Sequence, residues 1–195
     1  MGSHAARTVV PVPLACHIPI CSYGGHKMKR FGLLLALCLC GLHAHGNETS
    51  ASEMKLVGQA KLSVLFWDVY NSSLYTPSGR FEGINAPLKI KLVYLRNIGS
   101  RELVDATREQ WRKLGMYRPE HESWLQQLQS MWPDVKPGDS ITLDWSDPAL
   151  SRFYFNGKLL GTIDNPDFGK FFAAIWLSEK TEYPKVRKQL IGGAS

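Results

Sequence analysis

The chain has 195 residues, 44% of them hydrophobic, and a formal charge of +6. Before residue 47 lie four of its 23 lysines and arginines (Arg7, Lys27, Lys29 and Arg30), none of its 17 acids, all four cysteines and five of its six histidines, so residues 47–195 carry +2. With no cysteine and one histidine there, disulfide staples, thiol chemistry and a zinc site are excluded, and the small charge argues against a nucleic-acid partner.

Residues 1–27 hold no acid and no helical or strand period, and read as a leader or an upstream mis-assigned start. Residues 28–46 have the anatomy of a signal peptide: basic Met28-Lys29-Arg30, an apolar run from Phe31 to Leu42, then Ala44-His45-Gly46 with small residues at −3 and −1. The run is too short to span a bilayer. A lipoprotein anchor at Cys38 or Cys40 is disfavoured by the leucine before each. The expectation is a periplasmic or secreted protein with no stable membrane anchor after cleavage, its single domain spanning 47–195.

Between Met54 and Tyr75 the sequence predicts two strands. Leu56, Gly58, Ala60, Leu62 and Val64 alternate with mostly polar residues, and Phe66, Asp68 and Tyr70 then alternate against Trp67, Val69 and Asn71. After Pro77-Ser78-Gly79, Leu88, Ile90, Leu92 and Tyr94 alternate with Lys89 and Lys91, giving a strand with one wet face. Ser100 is a suitable cap for a helix to about Leu114, with Leu103, Val104, Thr107, Trp111 and Leu114 on one face and Gly115 as stop. A second helix follows Pro119, turns Trp124, Leu125, Leu128 and Met131 inward, and ends at Pro133. His121 is expected on its surface.

Pro137-Gly138-Asp139 turns into a strand from Ile141 to Trp145. Asn156-Gly157, between apolar runs, predicts a type I′ hairpin, with Phe153 and Phe155 on one face. Asn165, Pro166 and Asp167 predict a helix start, and Phe168, Phe171, Phe172, Ile175 and Trp176 form a wide apolar stripe. A shorter helix opens at Pro184 and stops at Gly192. Strands and helices in segregated runs argue for α+β, a mainly antiparallel sheet with helices on one face.

Several stretches carry a resemblance. Val57-Gly58-Gln59-Ala60, Phe66-Trp67-Asp68-Val69-Tyr70, Asn156-Gly157-Lys158, Gly161-Thr162-Ile163, Asp167-Phe168, Ile175-Trp176-Leu177 and Leu190-Ile191-Gly192 follow the order and spacing of the chalcone isomerase-like family, in particular its bacterial branch. That resemblance implies an open-faced β-sandwich whose larger sheet is covered by helices. In true chalcone isomerases a first-strand arginine binds substrate, and the same arginine anchors the carboxylate in fatty-acid-binding members. Here that position falls near Leu62. A tyrosine and an asparagine of the isomerase site fall near Ile98-Gly99 and near Ala106, and a site threonine near Tyr70. The polar set for an oxyanion is therefore missing.

No catalytic residue, cofactor or metal ligand emerges. Asp144 and Asp147 read as strand-end and turn chemistry, and Lys185, Arg187 and Lys188 as a wet helix face. Three functions remain open. One is a non-catalytic exported protein holding a small apolar or lipid-like ligand, with Tyr70, Tyr75, Tyr94 and Leu62 as the ligand-binding candidates and Tyr70 and Tyr75 together at the mouth through an intervening bulge. Another is an isomerase acting on a small aromatic compound. The third is a periplasmic protein-interaction module using exposed aromatics such as Trp67 or Trp145.

Overall fold

The computed structural model describes residues 53–193; the expected leader and signal peptide lie outside them. Six strands form one sheet in the order of the chain: β1 (Lys55–Val64), β2 (Trp67–Thr76), β3 (Leu88–Tyr94), β4 (Ser140–Asp147), β5 (Leu150–Phe155) and β6 (Lys158–Asp164). Every neighbouring pair is antiparallel. Helices α1 (Ser100–Lys113) and α2 (Glu122–Met131), the latter entered by a 3-10 turn at Pro119–His121, lie between β3 and β4. Helices α3 (Phe168–Leu177) and α4 (Pro184–Leu190) follow β6. This is the α+β architecture that the segregated runs predict.

Alternation sets the two faces of the sheet. Leu74, Leu88, Ile90, Leu92, Tyr94, Ile141, Leu143, Trp145 and Phe153 are buried on the helix side. On the other side Lys89 stands opposite Asp144 in register, and their side chains pair at 3.0 Å. Asp144 is therefore a partner in a cross-strand ion pair, while Asp147 Oδ1 accepts the Ala149 N–H, as turn chemistry requires. The Asn156-Gly157 turn has both residues at positive φ, 50° and 80°.

Helix α3 is buried on nearly every side: Gly169, Ala173, Ala174 and Leu177 join Phe168, Phe172, Ile175 and Trp176. Gly169 is obligatory, because a Cβ there would sit 2.4 Å from the Trp145 indole. Trp145 is thus buried in the core rather than exposed for a partner, its Nε1 donating to the Pro148 carbonyl at 3.3 Å. The other end of the chain makes an equally close approach. Helix α4 lies against β1, where a Cβ on Gly58 would come within 2.2 Å of the Gln189 carbonyl oxygen.

Four local expectations change. The cap of α1 is Gly99, one residue before Ser100; its N–H is met by Glu102 Oε2, while the Ser100 N–H goes to Asp134. Helix α3 begins at Phe168, because the Asn165 side chain accepts the Asp167 N–H and holds Pro166-Asp167 as a turn. Phe66 is outside any strand: Leu65 and Phe66 form the tip of the β1–β2 hairpin, with Leu65 at φ 55°. His121 is buried. It stacks on Trp124 with ring centroids 4.5 Å apart, and its Nδ1 accepts the Arg118 N–H.

Candidate functional site

The space between sheet and helices is not filled evenly. Towards α2 and the start of α3 it is closed by rings in edge and stacked contact, with Trp111, Trp124, Phe153, Phe168 and Phe172 linked at centroid distances of 5.3–6.3 Å. Towards the β1–β2 hairpin it opens into a cavity of about 220 Å³ between β1, β2, β3, α1 and α3. Its wall is largely apolar: Leu62, Val69, Leu92, Leu103, Phe172 and Ile175 contribute. Its exposed rim is Val64, Glu102 and Ala106.

Local structure explains who reaches this cavity. Leu62 and Tyr70 are opposite one another on β1 and β2, and Tyr70 is opposite Tyr94 on β3. All three point to the helix side, and the tyrosine rings meet edge to face at 6.0 Å. One extra residue, Val69, interrupts the β1–β2 ladder, since Leu62 pairs with Tyr70 but Ser63 with Asp68. The bulge turns Val69 towards the cavity as well.

Tyr75 does not belong here. No bulge separates it from Tyr70 along the β2–β3 ladder, so an odd spacing puts it on the other face. It stands there among Lys89, Lys91, Thr142 and Tyr154. Tyr70 is also not at the mouth: it is buried in the floor, where the Trp176 indole N–H donates to its hydroxyl at 2.7 Å.

Polar groups in the wall are few and uncharged, Glu102 at the rim apart. Burial pushes the Tyr70 and Tyr94 phenols up, so both remain protonated donors near neutral pH. The shift at Tyr94 comes from burial and the neighbouring Tyr70, with no hydrogen bond among its causes. Two further lining residues present polar atoms without a protein partner. These are Trp132, whose Nε1 is a donor, and Gln110, whose Oε1 is an acceptor; the Gln110 amide nitrogen is held by Glu182 at 2.8 Å. Buried polar atoms are nearly always satisfied, so two unpaired ones in residues of one cavity wall are unusual. Nothing in the sequence flags Trp132 or Gln110, because only the third dimension shows what each lacks.

The positions at which the family resemblance implies polar site residues converge here. Leu62, Ile98, Ala106 and Tyr70 all line this one cavity. A wider depression of about 790 Å³ lies over Asn97, Pro133 and Lys136, but it is open, and its carboxylates are engaged in local capping: Asp134 with the Ser100 N–H at 2.8 Å, Asp139 with the Asn156 amide at 2.9 Å. Among the described residues no three His, Cys, Asp or Glu side chains cluster as metal ligands do.

Comparison with known proteins agrees with this architecture. An uncharacterised protein of Haemophilus influenzae is 24% identical over 136 residues, 70% of this chain and 67% of that protein. A crystal structure of a fatty-acid-binding protein of Arabidopsis thaliana superposes with a TM-score of 0.55 at 14% identity, covering 71% of this chain and 87% of that one, a likeness of fold. The model of the chalcone isomerase-like family matches residues 45–192, and the chain belongs to that family.

Proposed function

We propose that the protein is an exported, non-catalytic carrier whose cavity holds a small, neutral, largely apolar ligand. The observation that carries this reading is the composition of the wall: the positions near which an isomerase has arginine, tyrosine and asparagine are occupied by Leu62, Ile98 and Ala106, and all three line the cavity. Without a buried cation there is no group to fix a carboxylate, and burying one unpaired would be costly. A neutral ligand with one or two hydrogen-bonding atoms matches a wall whose polar residues inside the rim, Tyr94, Trp132 and Gln110 among them, are uncharged. Protonated phenols orient such atoms but do not abstract protons, which favours holding over isomerisation. Export is supported by the basic start, apolar run and small residues of 28–46.

Titration with Nile red, a neutral apolar dye, tests the reading. The wild type should take up dye saturably, and Leu62→Trp, which fills the cavity from its β1 wall, should lose that uptake while melting as a folded protein. A folded wild type that binds no dye, or a Leu62→Trp variant that binds as before, overturns it. Cyclisation of a chalcone above the spontaneous rate would overturn the non-catalytic half. Intact mass of periplasmic material beginning near Asn47 would establish export.

A further inference from the structure

The β1–β2 hairpin ends in four consecutive apolar residues, Val64-Leu65-Phe66-Trp67, that the described fold leaves uncovered. Leu65 is 87% exposed, Phe66 97% and Trp67 65%. Hairpin tips ordinarily carry Asn, Gly or Asp, which tolerate positive φ and water alike. Here a leucine holds φ 55°, a conformation unfavourable for its side chain, at the apex of a tip with no polar residue. Such a tip has a cost in solubility and in backbone strain, and no gain in packing within the domain accounts for it.

The groups beneath the apex are ordered by depth. Leu65 and Phe66 are outermost. Trp67 follows, with the Arg96 guanidinium 5.7 Å from its ring centroid. Next come Asp68, Lys61 and Ser63, with Lys61 paired to Asp68 at 2.8 Å. No carboxylate pairs with Arg96 among the described residues. Aliphatic and phenyl groups at the apex, an indole behind them and a cation at the level of the indole match the sequence of hydrocarbon, interface and phosphate met from the bilayer interior outwards. A protein partner fits less well: a stable interface buries about 800 Å² on each side, and a convex turn of four residues offers a flat surface only a fraction of that.

We propose that the β1–β2 hairpin tip docks the protein reversibly on anionic phospholipid bilayers, with Leu65 and Phe66 inserted, Trp67 at the interface and Arg96 on lipid phosphate. The inserted apex is two residues, Leu65 and Phe66, so attachment through this tip is shallow. Val64, at the base of the tip, is also part of the cavity rim, so docking brings the cavity mouth to the lipid surface. The consequence that an apolar ligand passes between bilayer and cavity rests on the proposed carrier function; the docking itself does not.

Trp67 makes the test local. The other five tryptophans, Trp111, Trp124, Trp132, Trp145 and Trp176, are all buried, so a quencher in the lipid or the water reads Trp67. Vesicles of phosphatidylethanolamine and phosphatidylglycerol with brominated acyl chains should quench part of the emission and protect it from acrylamide, and Trp67→Phe should lack the quenched component. The double variant Leu65→Ser/Phe66→Ser should lose at least about tenfold in partitioning, with an unchanged thermal melt. Arg96→Gln should lose about fivefold on anionic vesicles and nothing on phosphatidylcholine. Emission indifferent to brominated vesicles, or quenching that survives in the double variant, overturns the proposal. So does shielding of Trp67 that rises with protein concentration in lipid-free buffer, which would assign the tip to a second copy. Nile red uptake without vesicles is read as the difference between wild type and Leu62→Trp, which share the same tip, so loss of that difference beside intact quenching removes the carrier reading alone.

Discussion

The two ends of the sheet–helix interface solve the same problem with different residues. At the α2 end, tryptophan and phenylalanine rings fill the space between β5 and the helices, and α3 fits only because Gly169 lets the Trp145 ring lie against its backbone. At the hairpin end, the facing residues are Leu62, Val69, Ile98 and Ala106, and a cavity of about 220 Å³ remains. Tightly packed interiors hold few voids larger than a water molecule. The contrast shows where the fold draws its stability and where it leaves room for a guest. Trp176 stands at the seam, in contact with Phe172 on one side and bonded to Tyr70 on the other.

The largest effect should come from cutting that seam. Trp176→Ala removes a buried indole and the partner of the Tyr70 hydroxyl, and should cost about 3–5 kcal/mol in urea melts. A loss below about 1 kcal/mol would mean that the seam carries no load. Next is overpacking at the filled end. Gly169→Ala forces a methyl group towards the Trp145 ring and should cost about 1–3 kcal/mol. The matching change at the hollow end, Ala106→Leu on the cavity rim, should alter stability by less than about 0.5 kcal/mol while weakening Nile red uptake. Equal costs for these two substitutions would erase the distinction between the ends.

The smallest effect is a pH slope confined to the filled end. His121 is held below its ordinary pKa, first by burial, then by Arg118, against the opposing pull of Glu120 and Asp167. A group with a depressed native pKa contributes its full stability above its unfolded value, about 6.5, and loses that contribution as pH falls through the native value. Stability should therefore decline as pH falls below about 6.5, while Nile red uptake by the still-folded protein changes little. Glu122, Asp139 and Glu182, all held low by hydrogen-bond partners, act only below their ordinary value near 4.5 or 3.8. Chemical denaturation across this range should show the decline in wild type and its absence in His121→Phe.

Most of the fold was legible in the sequence because its signals are local and periodic. The two-residue alternation of Leu88 to Tyr94 and the stripe of α3 follow from which face meets the core, and Asn156-Gly157 from the φ values its turn needs. Three of the four ligand-binding candidates were legible for the same reason: Leu62, Tyr70 and Tyr94 share the inner face. Tyr75 was misplaced because a bulge leaves no mark in composition; the extra residues in the β1–β2 ladder are Val57 and Val69, neither of them between the two tyrosines. His121 was misplaced because its burial depends on Trp124 and Phe171, which α2 and α3 bring to it. Phe66 reads as strand in the sequence because an apolar residue continuing an alternation looks the same whether the chain extends or turns.

The close approach of α4 to β1 has a consequence for the order in which the molecule can be made. The inner surface of the first strand is completed by the last helix, with Gly58 against the Gln189 and Leu190 carbonyls. A chain emerging from its N-terminus therefore lacks the cover for β1 until α4 itself is free, and closing that long loop is among the slower entropic steps available to it. Nascent chains stalled before Pro184 should remain protease-sensitive throughout, and resistance should appear in one step once α4 has cleared the exit.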